Sequence, residues 1–376
     1  MSALFFFSRR ALRWAHRWLG LVAGSFLLVT GLTGSSLVFR QEIDTALNPE
    51  LLRVEPAEAR ASLQAMLDEI GRRYPDAPRV TRVRMPQQPG GTYEFWMGAT
   101  PESYVYADPY RGAILGARGA TSFLTGWLFW LHSHYLTGEF GHTVAGIAAL
   151  FLMALSLTGI VIWLPRRAPW ISWKQLRAAL TIKRGAGSKR VTFDLHRALG
   201  FYASVLLLTA STTGASLVFT GAFQRAAHAI TGTAPVITPF TVPVDGDGEI
   251  PSLSADSLLA VALAAQPGGT VSYLYLPTAP GQTFRVRQRL PGEQHPNGKS
   301  FVNVDPATAR IVGVDDGARA PAGSRLYSIL YPLHIGILGG TLTRVLAVLV
   351  GLSLPTLAVT GFLIWWRRGF RASSSP

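Results

Sequence analysis

The chain has 376 residues, no cysteine and a net charge of +14 at neutral pH, with a mean hydropathy of +0.25. The missing cysteines exclude thiolate ligation of haem, iron–sulfur clusters and thiol chemistry, and oblige any external loops to hold without disulfides. The charge is gathered into three short segments and is not spread over a surface, so nucleic acid binding is not indicated.

Residues 1–40 begin with Arg9, Arg10, Arg13 and Arg17 and continue as the apolar run Trp18 to Phe39. That run is too long for the core of a cleaved signal peptide and reads as an uncleaved signal anchor, the first span. Residues 41–125 read as an external α+β domain. Its helix-forming stretch AEARASLQAMLDEIGRRYP precedes RVTRVRMP, TYEFWMG and YVYADPYRGAILG, whose alternating apolar residues mark strands. An interfacial segment and a second span fill 126–164, apolar from His142 to Leu164, and a basic loop follows at 165–195. The third span covers 196–220, apolar from Leu199 to Phe219. Residues 221–325 repeat the external pattern, with PSLSADSLLAVALAAQPGG before TVSYLYLP, TFRVRQR and FVNVDPATARIVG. A second interfacial segment and the fourth span, apolar from Leu342 to Trp366, fill 326–366, and 367–376 form a tail. Each run supplies the roughly 20 residues that about 30 Å of hydrocarbon requires.

Arg9, Arg10, Arg13 and Arg17 precede span one. Arg166, Arg167, Lys174, Arg177, Lys183, Arg184, Lys189, Arg190 and Arg197 lie between spans two and three, and Arg367, Arg368 and Arg371 follow span four. These segments contain one acid, Asp194, and carry +15, which leaves −1 for the rest of the chain. An even number of spans puts all three on one side, and the positive-inside rule makes that side the cytoplasm. The expectation is a multi-pass bacterial inner-membrane protein with both termini cytoplasmic and both large loops periplasmic.

The two halves align. HRWLGLVAGSFLLVTGLTGSSLVF from His16 matches HRALGFYASVLLLTASTTGASLVF from His196 without a gap. Leu131-His132 and Leu333-His334 stand equally far before Thr158-Gly159 and Thr360-Gly361, and Ile162-Trp163 and Ile364-Trp365 follow. Asp108-Pro109 and Asp305-Pro306 open turns in the two loops, with Ala309 in the second where the first has Gly112. Halves that both start in the cytoplasm are parallel repeats about an axis along the membrane normal. The fold expected is a four-helix transmembrane bundle with two periplasmic α+β domains, built by parallel internal duplication. Gly20, Gly24, Gly31, Gly34, Gly146, Gly200 and Gly214 thin the spans where helices or a flat cofactor come close.

Ionisable residues at membrane helices are functional by default, and imidazole is a frequent ligand of haem iron. His16 and His196 read either as interfacial histidines beside Arg17 and Arg197 or, brought together by the repeat axis, as the two axial ligands of one haem. His132 and His334 form the equivalent pair at the periplasmic side. Ligands within one half lie too far apart, because a 24-residue helix separates its ends by about 36 Å. His134 and His142, whose counterparts are Gly336 and Arg344, could replace His132 or hold a haem propionate. Arg344 reads as a propionate partner or a snorkelling arginine. His228 and His295 have no repeat partner and read as solvent-exposed. Trp127, Phe129, Trp130, Tyr135, Trp163, Trp365 and Trp366 suit an interfacial aromatic belt, and Trp18, Trp127 and Trp130 are also placed to wall a haem. No nucleotide-binding or hydrolase motif appears.

The ordered set of HRxLG at His16 and His196, D-P turns with Gly112, Gly116 and Gly313, and LH…TG…W frames from His132 and His334 resembles the PepSY-associated transmembrane family of bacterial inner-membrane proteins. The resemblance covers nearly the whole chain. It implies that the two loops are PepSY-like domains and that the protein serves iron uptake. The layout is similar to that of ferric-siderophore reductases with two b-type haems. The expectation is then two haem b per chain and a periplasmic ferric siderophore as substrate, taken as hydroxamate-type because the external loops are nearly neutral and rich in Tyr and Trp. The electron donor is a cytoplasmic flavin reductase, a quinol or another partner. The alternative is a non-catalytic permease or accessory factor for siderophore uptake.

Overall fold

Long apolar runs become long helices, and the alternating segments become strands. The computed structural model describes residues 8–98, 102–164, 173–235, 241–242 and 253–372. Of the basic positions above, Arg166 and Arg167 lie outside the described residues, as do the side chains of Lys174, Arg368 and Arg371. In chain order the elements are α1 (Arg9–Leu37), α2 (Arg40–Leu47), α3 (Pro49–Leu52), α4 (Leu63–Arg73), β1 (Val80–Arg84), β2 (Tyr93–Met97), β3 (Ser103–Ala107) and β4 (Ile114–Gly119). Then come α5 (Leu124–His134), α6 (Gly138–Trp163), α7 (Trp173–Leu180), α8 (Ser188–Val218), α9 (Thr220–Thr231) and α10 (Ala255–Ala265). The chain closes with β5 (Thr270–Tyr275), β6 (Phe284–Arg289), β7 (Ser300–Val304), β8 (Ile311–Asp315), α11 (Ala322–His334) and α12 (Gly340–Ala372). They fall into two compact units. One comprises residues 1–39, 128–220 and 333–376, and the other 40–127 and 221–332.

The first unit is the bundle of α1, α6, α8 and α12, the four helices among the described residues that are long and apolar enough to cross a membrane. Each is about one to three turns longer than its apolar run at one end or the other, because flanking residues continue the helix. Helix α1 packs on α6 and α12, and α8 packs on the same two. Ala23, Leu27, Ala148, Leu152, Ala203, Leu207 and Leu354 form the buried centre. Large apolar side chains such as Val22, Val205, Leu342 and Leu349 point outward, which in water would be a liability and in lipid is the solvent-matched surface. Helices α1 and α12 cross at Gly31, where an added Cβ would lie 2.5 Å from the Gly351 carbonyl oxygen. Helix α12 runs unbroken through Pro355. At the Arg-rich end, buried Asp194 pairs with Arg190 and Arg197 and accepts the Lys183 backbone N–H.

The second unit departs from two separate external domains. Its eight strands form one antiparallel sheet in the order β4-β3-β2-β1-β5-β6-β7-β8, joined at the centre by β1 and β5 through Arg82↔Tyr275, Val83↔Leu274 and Arg84↔Tyr273. The reason is edge chemistry: each four-stranded half would leave β1 or β5 with unpaired backbone groups, and pairing them removes both edges. Helices α4 and α10 add Leu63, Met66, Ile70, Leu258 and Ala262 to the apolar face formed by Val83, Phe95, Val105, Leu274, Val286 and Val302. Asp256 of α10 clamps the start of α4 by accepting from Ser62 Oγ and the Leu63 and Gln64 N–H groups, a carboxylate at a helix N-terminus.

Both D-P turns form. Asp108 accepts from Tyr110 N and Asp305 from Ala307 N. Gly112 has φ +70° and Ala309 φ +56°, so the second turn keeps the left-handed geometry without glycine. Two expectations are corrected: His228 and His295 are both 6% exposed. His228 bonds Thr233 and Ser324 through its two nitrogens, and His295 stacks on Tyr331 and accepts from Asn297 N. Absence from the repeat says nothing of burial; His228 lies on α9 and His295 in the connection before β7, and each ring finds polar or stacking partners there.

Candidate functional site

All four repeated histidines lie in the bundle unit and meet as two pairs, each joining residues from different halves of the chain. The His16 ring on α1 and the His196 ring on α8 have centroids 6.5 Å apart with planes at 85°. The His132 ring on α5 and the His334 ring on α11 are 6.3 Å apart at 46°. Along α1, His16 and Thr33, the contact of His132, are separated by about 26 Å at ~1.5 Å per residue, so the two pairs occupy opposite ends of the helices.

Each ring is held in the same way. Nδ1 of His16 meets Thr158 Oγ1 at 2.9 Å, and Nδ1 of His196 meets Thr360 Oγ1 at 3.0 Å. Nδ1 of His132 meets Thr33 Oγ1 at 3.2 Å and the Thr30 carbonyl at 3.1 Å, while Nδ1 of His334 meets Thr213 Oγ1 at 3.0 Å. The residue after each threonine is a glycine, and each ring rests on it. A Cβ at Gly34 would stand 2.8 Å from His132, at Gly214 3.2 Å from His334, at Gly361 3.3 Å from His196 and at Gly159 3.4 Å from His16.

The threonines decide the tautomer. A hydroxyl has one proton, and each of these donates it along its own helix: Thr158 to the Ala154 carbonyl, Thr33 to Val29, Thr213 to Thr209 and Thr360 to Thr356, at 2.6–2.8 Å. Toward the imidazole the oxygen can therefore only accept, so Nδ1 carries the proton and Nε2 presents its lone pair. An acceptor behind the ring that fixes Nδ1–H in this way prepares a histidine to bind a metal through Nε2.

Two imidazoles sharing one metal through bonds of about 2 Å, each ring centre about 1 Å beyond its nitrogen, have centres about 6 Å apart. Both pairs match that spacing. An edge contact between rings reaches the same distance, so spacing and the four-fold Nδ1–H tautomer have to be read together, and together they would suit a metal held between two imidazoles, as in a haem. With no cysteine for thioether attachment, a haem held here is non-covalent. Thr33-Gly34 and Thr213-Gly214 were legible only as small residues within spans. The signal that finds them is that all four rings use a Thr-Gly step.

His134 and His142 form a cluster of their own, stacked at 4.7 Å with Trp130 4.2 Å from His134. Their Nδ1 atoms go to Ser133 Oγ and the Ser133 carbonyl. Burial, with His142 adding repulsion, lowers the His134 pKa from its ordinary value. Arg344 donates to the Val38 carbonyl at the end of α1 and lies 4.1 Å over the Phe39 ring. Tyr135 bonds Thr30 from a turn in which both Tyr135 and Leu136 have positive φ, a conformation costing on the order of 1–3 kcal/mol per residue.

Residues 13–368 match the family described as PepSY-associated TM region. The chain belongs to this family. The PepSY-associated region thus takes in both histidine pairs, the four spans and the whole sheet. No curated protein sequence matches the chain.

Proposed function

We propose that this PepSY-associated membrane protein is an inner-membrane reductase that holds two b-type haems and passes electrons outward to a periplasmic ferric siderophore. His16 and His196 hold one haem near the cytoplasmic side, and His132 and His334 hold the other near the periplasmic side. The observation that carries the reading is the Nδ1–H tautomer imposed on four paired imidazoles by four threonines that have spent their own proton. The positive segments orient the termini to the cytoplasm, and the matched contacts of the two pairs support parallel duplication.

Haem, when bound, supplies the one-electron chemistry. The chain's residues supply the rest. Nε2 of each histidine would hold the iron, each threonine fixes its ring, and each glycine lets the ring edge come close to a neighbouring helix. The outward apolar side chains keep the bundle in lipid and water away from the iron. Ferric iron in the siderophore gains one electron and becomes Fe²⁺, which fits hard oxygen donors less well and is released. Electrons come from a cytoplasmic flavin reductase or a quinol. Ring Nδ1 protons do not move in this scheme, because their acceptors are fixed.

The test is a visible spectrum of the purified protein with pyridine haemochrome quantitation. Two acid-acetone-extractable haems per chain are the expected result, with His16→Ala removing one and leaving the other spectrally intact. Pre-reduced protein mixed with a ferric hydroxamate chelate and a Fe²⁺ trap should reoxidise. A fully folded preparation without Soret bands, or haem bands that stay reduced in excess chelate, would turn the assignment to the permease.

A further inference from the structure

His134 and His142 take no part in the proposed electron path, yet the local backbone is bent to bring them together. Tyr135 and Leu136 both have positive φ in the turn between α5 and α6, and Gly138 follows at +64°. Gly141 lies so close to the end of α5 that a Cβ there would overlap the His134 carbonyl oxygen. The repeat shows that the fold does not require this. In the second half, Gly336, Thr343 and Arg344 stand where His134, Gly141 and His142 stand in the first, and the left-handed positions of that turn, Gly336 and Gly340, are both glycine. Backbone strain confined to one copy of a turn points to a local function.

Both rings are held by one residue, Ser133. Its hydroxyl donates its one proton to the Phe129 carbonyl at 2.6 Å, so toward His134 Nδ1 at 2.7 Å it only accepts. His142 Nδ1 meets the Ser133 carbonyl at 3.2 Å, which also only accepts. Both Nδ1 atoms therefore carry protons, and both Nε2 lone pairs make no hydrogen bond among the described residues. The unpartnered side-chain nitrogens that solvent does not reach lie elsewhere, and both rings are partly exposed, so an ion arriving from outside meets both lone pairs.

Spacing separates this pair from the other two. With bonds of about 2 Å and ring centres about 1 Å beyond, two imidazoles at opposite positions of a metal have centres about 6 Å apart, and at adjacent positions about 4.2–4.9 Å for bond angles of about 90–109°. His134 and His142 stand at 4.7 Å, in the adjacent range. They suit one face of a small ion and not the two sides of a haem. The planes, 23° apart, close on a common ion by a turn about χ2, a soft torsion in histidine. Among the described residues no third His, Asp or Glu completes the set, so a metal here keeps positions open to water or to a departing ligand. Glu139, exposed in the first turn of α6, adds a negative charge that is felt at His134 and favours a cation.

We propose that His134 and His142 form a transfer site for a divalent transition metal, and that its occupant is Fe²⁺ freed at the His132 end of the bundle. His134 stands two positions beyond His132 on α5, so the site lies where reduced iron would leave its chelate. Reduction turns iron from a hard ion that suits chelate oxygens into one that suits imidazole. Both Nε2 lone pairs are already bare, and the ion is taken up without releasing a proton. Two protein ligands hold it loosely enough to pass it on. The choice of iron rests on the reductase reading, whereas the two-nitrogen site does not.

Zinc tests the site apart from the redox chemistry, because imidazole binds it and it accepts no electron. Tag-free full-length protein in nanodiscs is titrated with Zn²⁺ by calorimetry. Wild type should bind one ion per chain, and His134→Gln and His142→Gln should bind it about tenfold or more weakly, since losing a ligand weakens a site at least as much as losing the partner behind one. His142 lies on α6, away from the helix that carries His132, so His142→Gln should keep both haem spectra and decides the matter if His134→Gln fails to fold. For iron, pre-reduced protein is mixed anaerobically with a ferric chelate and passed through rapid gel filtration. Wild type should retain Fe²⁺ and His142→Gln should not, with equal haem reoxidation in both. Folded wild type that binds no Zn²⁺, or variants that bind it as wild type does, overturns the site. Zn²⁺ binding without retained Fe²⁺ while the haems reoxidise overturns the assignment of iron. Missing haem bands with His142-dependent Zn²⁺ binding intact overturn only the reductase reading.

Discussion

Replacing Thr213 with valine keeps the side-chain shape beside His334 and deletes the oxygen that receives its Nδ1 proton. Thr213 is 1% exposed, so water does not readily take its place. The imidazole then either keeps a buried N–H without an acceptor, at about 1–3 kcal/mol, or moves the proton to Nε2 and loses the lone pair that would ligate. Either route weakens a metal bond by about 10–100-fold, the usual effect of removing the hydrogen-bond partner behind a ligating histidine, and the two figures agree because about 1.4 kcal/mol is tenfold. The assay is the rate at which an excess of haem-scavenging apoprotein removes haem from the protein, followed in the Soret band. Thr213→Val should speed loss of one haem and leave the other at its wild-type rate, and Thr213→Ser should restore retention. Equal rates in wild type and Thr213→Val, or a serine variant as leaky as the valine one, would refute the tautomer argument.

Gly34→Ala should disturb its histidine more than Gly159→Ala, since the new methyl would stand 2.8 Å from His132 but 3.4 Å from His16; overpacking of the first kind costs about 1–3 kcal/mol. Separate midpoint potentials for the two haems read the difference, and equal shifts would contradict it. His295 has its pKa lowered to about 3 by burial and by Lys299, Arg287 and Arg289. The unfolded chain therefore takes up a proton near pH 6.5 that the folded chain refuses, so stability is full above that pH and falls from there toward pH 3. At pH 5 the loss is at most about 2 kcal/mol, measured by denaturant unfolding at pH 7 and 5, and His295→Gln should remove that part of the slope. Ala309→Gly should stabilise the second turn by roughly 0.5–1 kcal/mol, because φ is +56° there and only glycine adopts it freely; a lower midpoint in the variant would count against the turn geometry.

Chemistry along the chain was enough for the spans, since runs such as His142 to Leu164 have no other low-energy place, and enough for the order helix, then strands, in each loop. The D-P turns were equally legible, because Asp and Pro act on their own backbone within three residues. The histidines to watch, His16, His132, His196 and His334, stood out by repetition. Their pairing, His16 with His196 and His132 with His334, was also legible, from the axis that relates the two halves, and the packing of α1, α6, α8 and α12 brings those rings together. What no local rule supplies is what holds each ring. The role of Thr33 and Thr213 follows from the same packing, as a hydroxyl within an apolar span looks like any other small residue until a ring is laid on it. The single sheet likewise required tertiary structure: strands β1 and β5 are nearly two hundred residues apart, and backbone groups pair across that distance only when the whole unit is assembled. Periodicity and turn chemistry act over a few residues and are written in the sequence; partners and tautomers depend on contacts between distant segments, which only the folded chain decides.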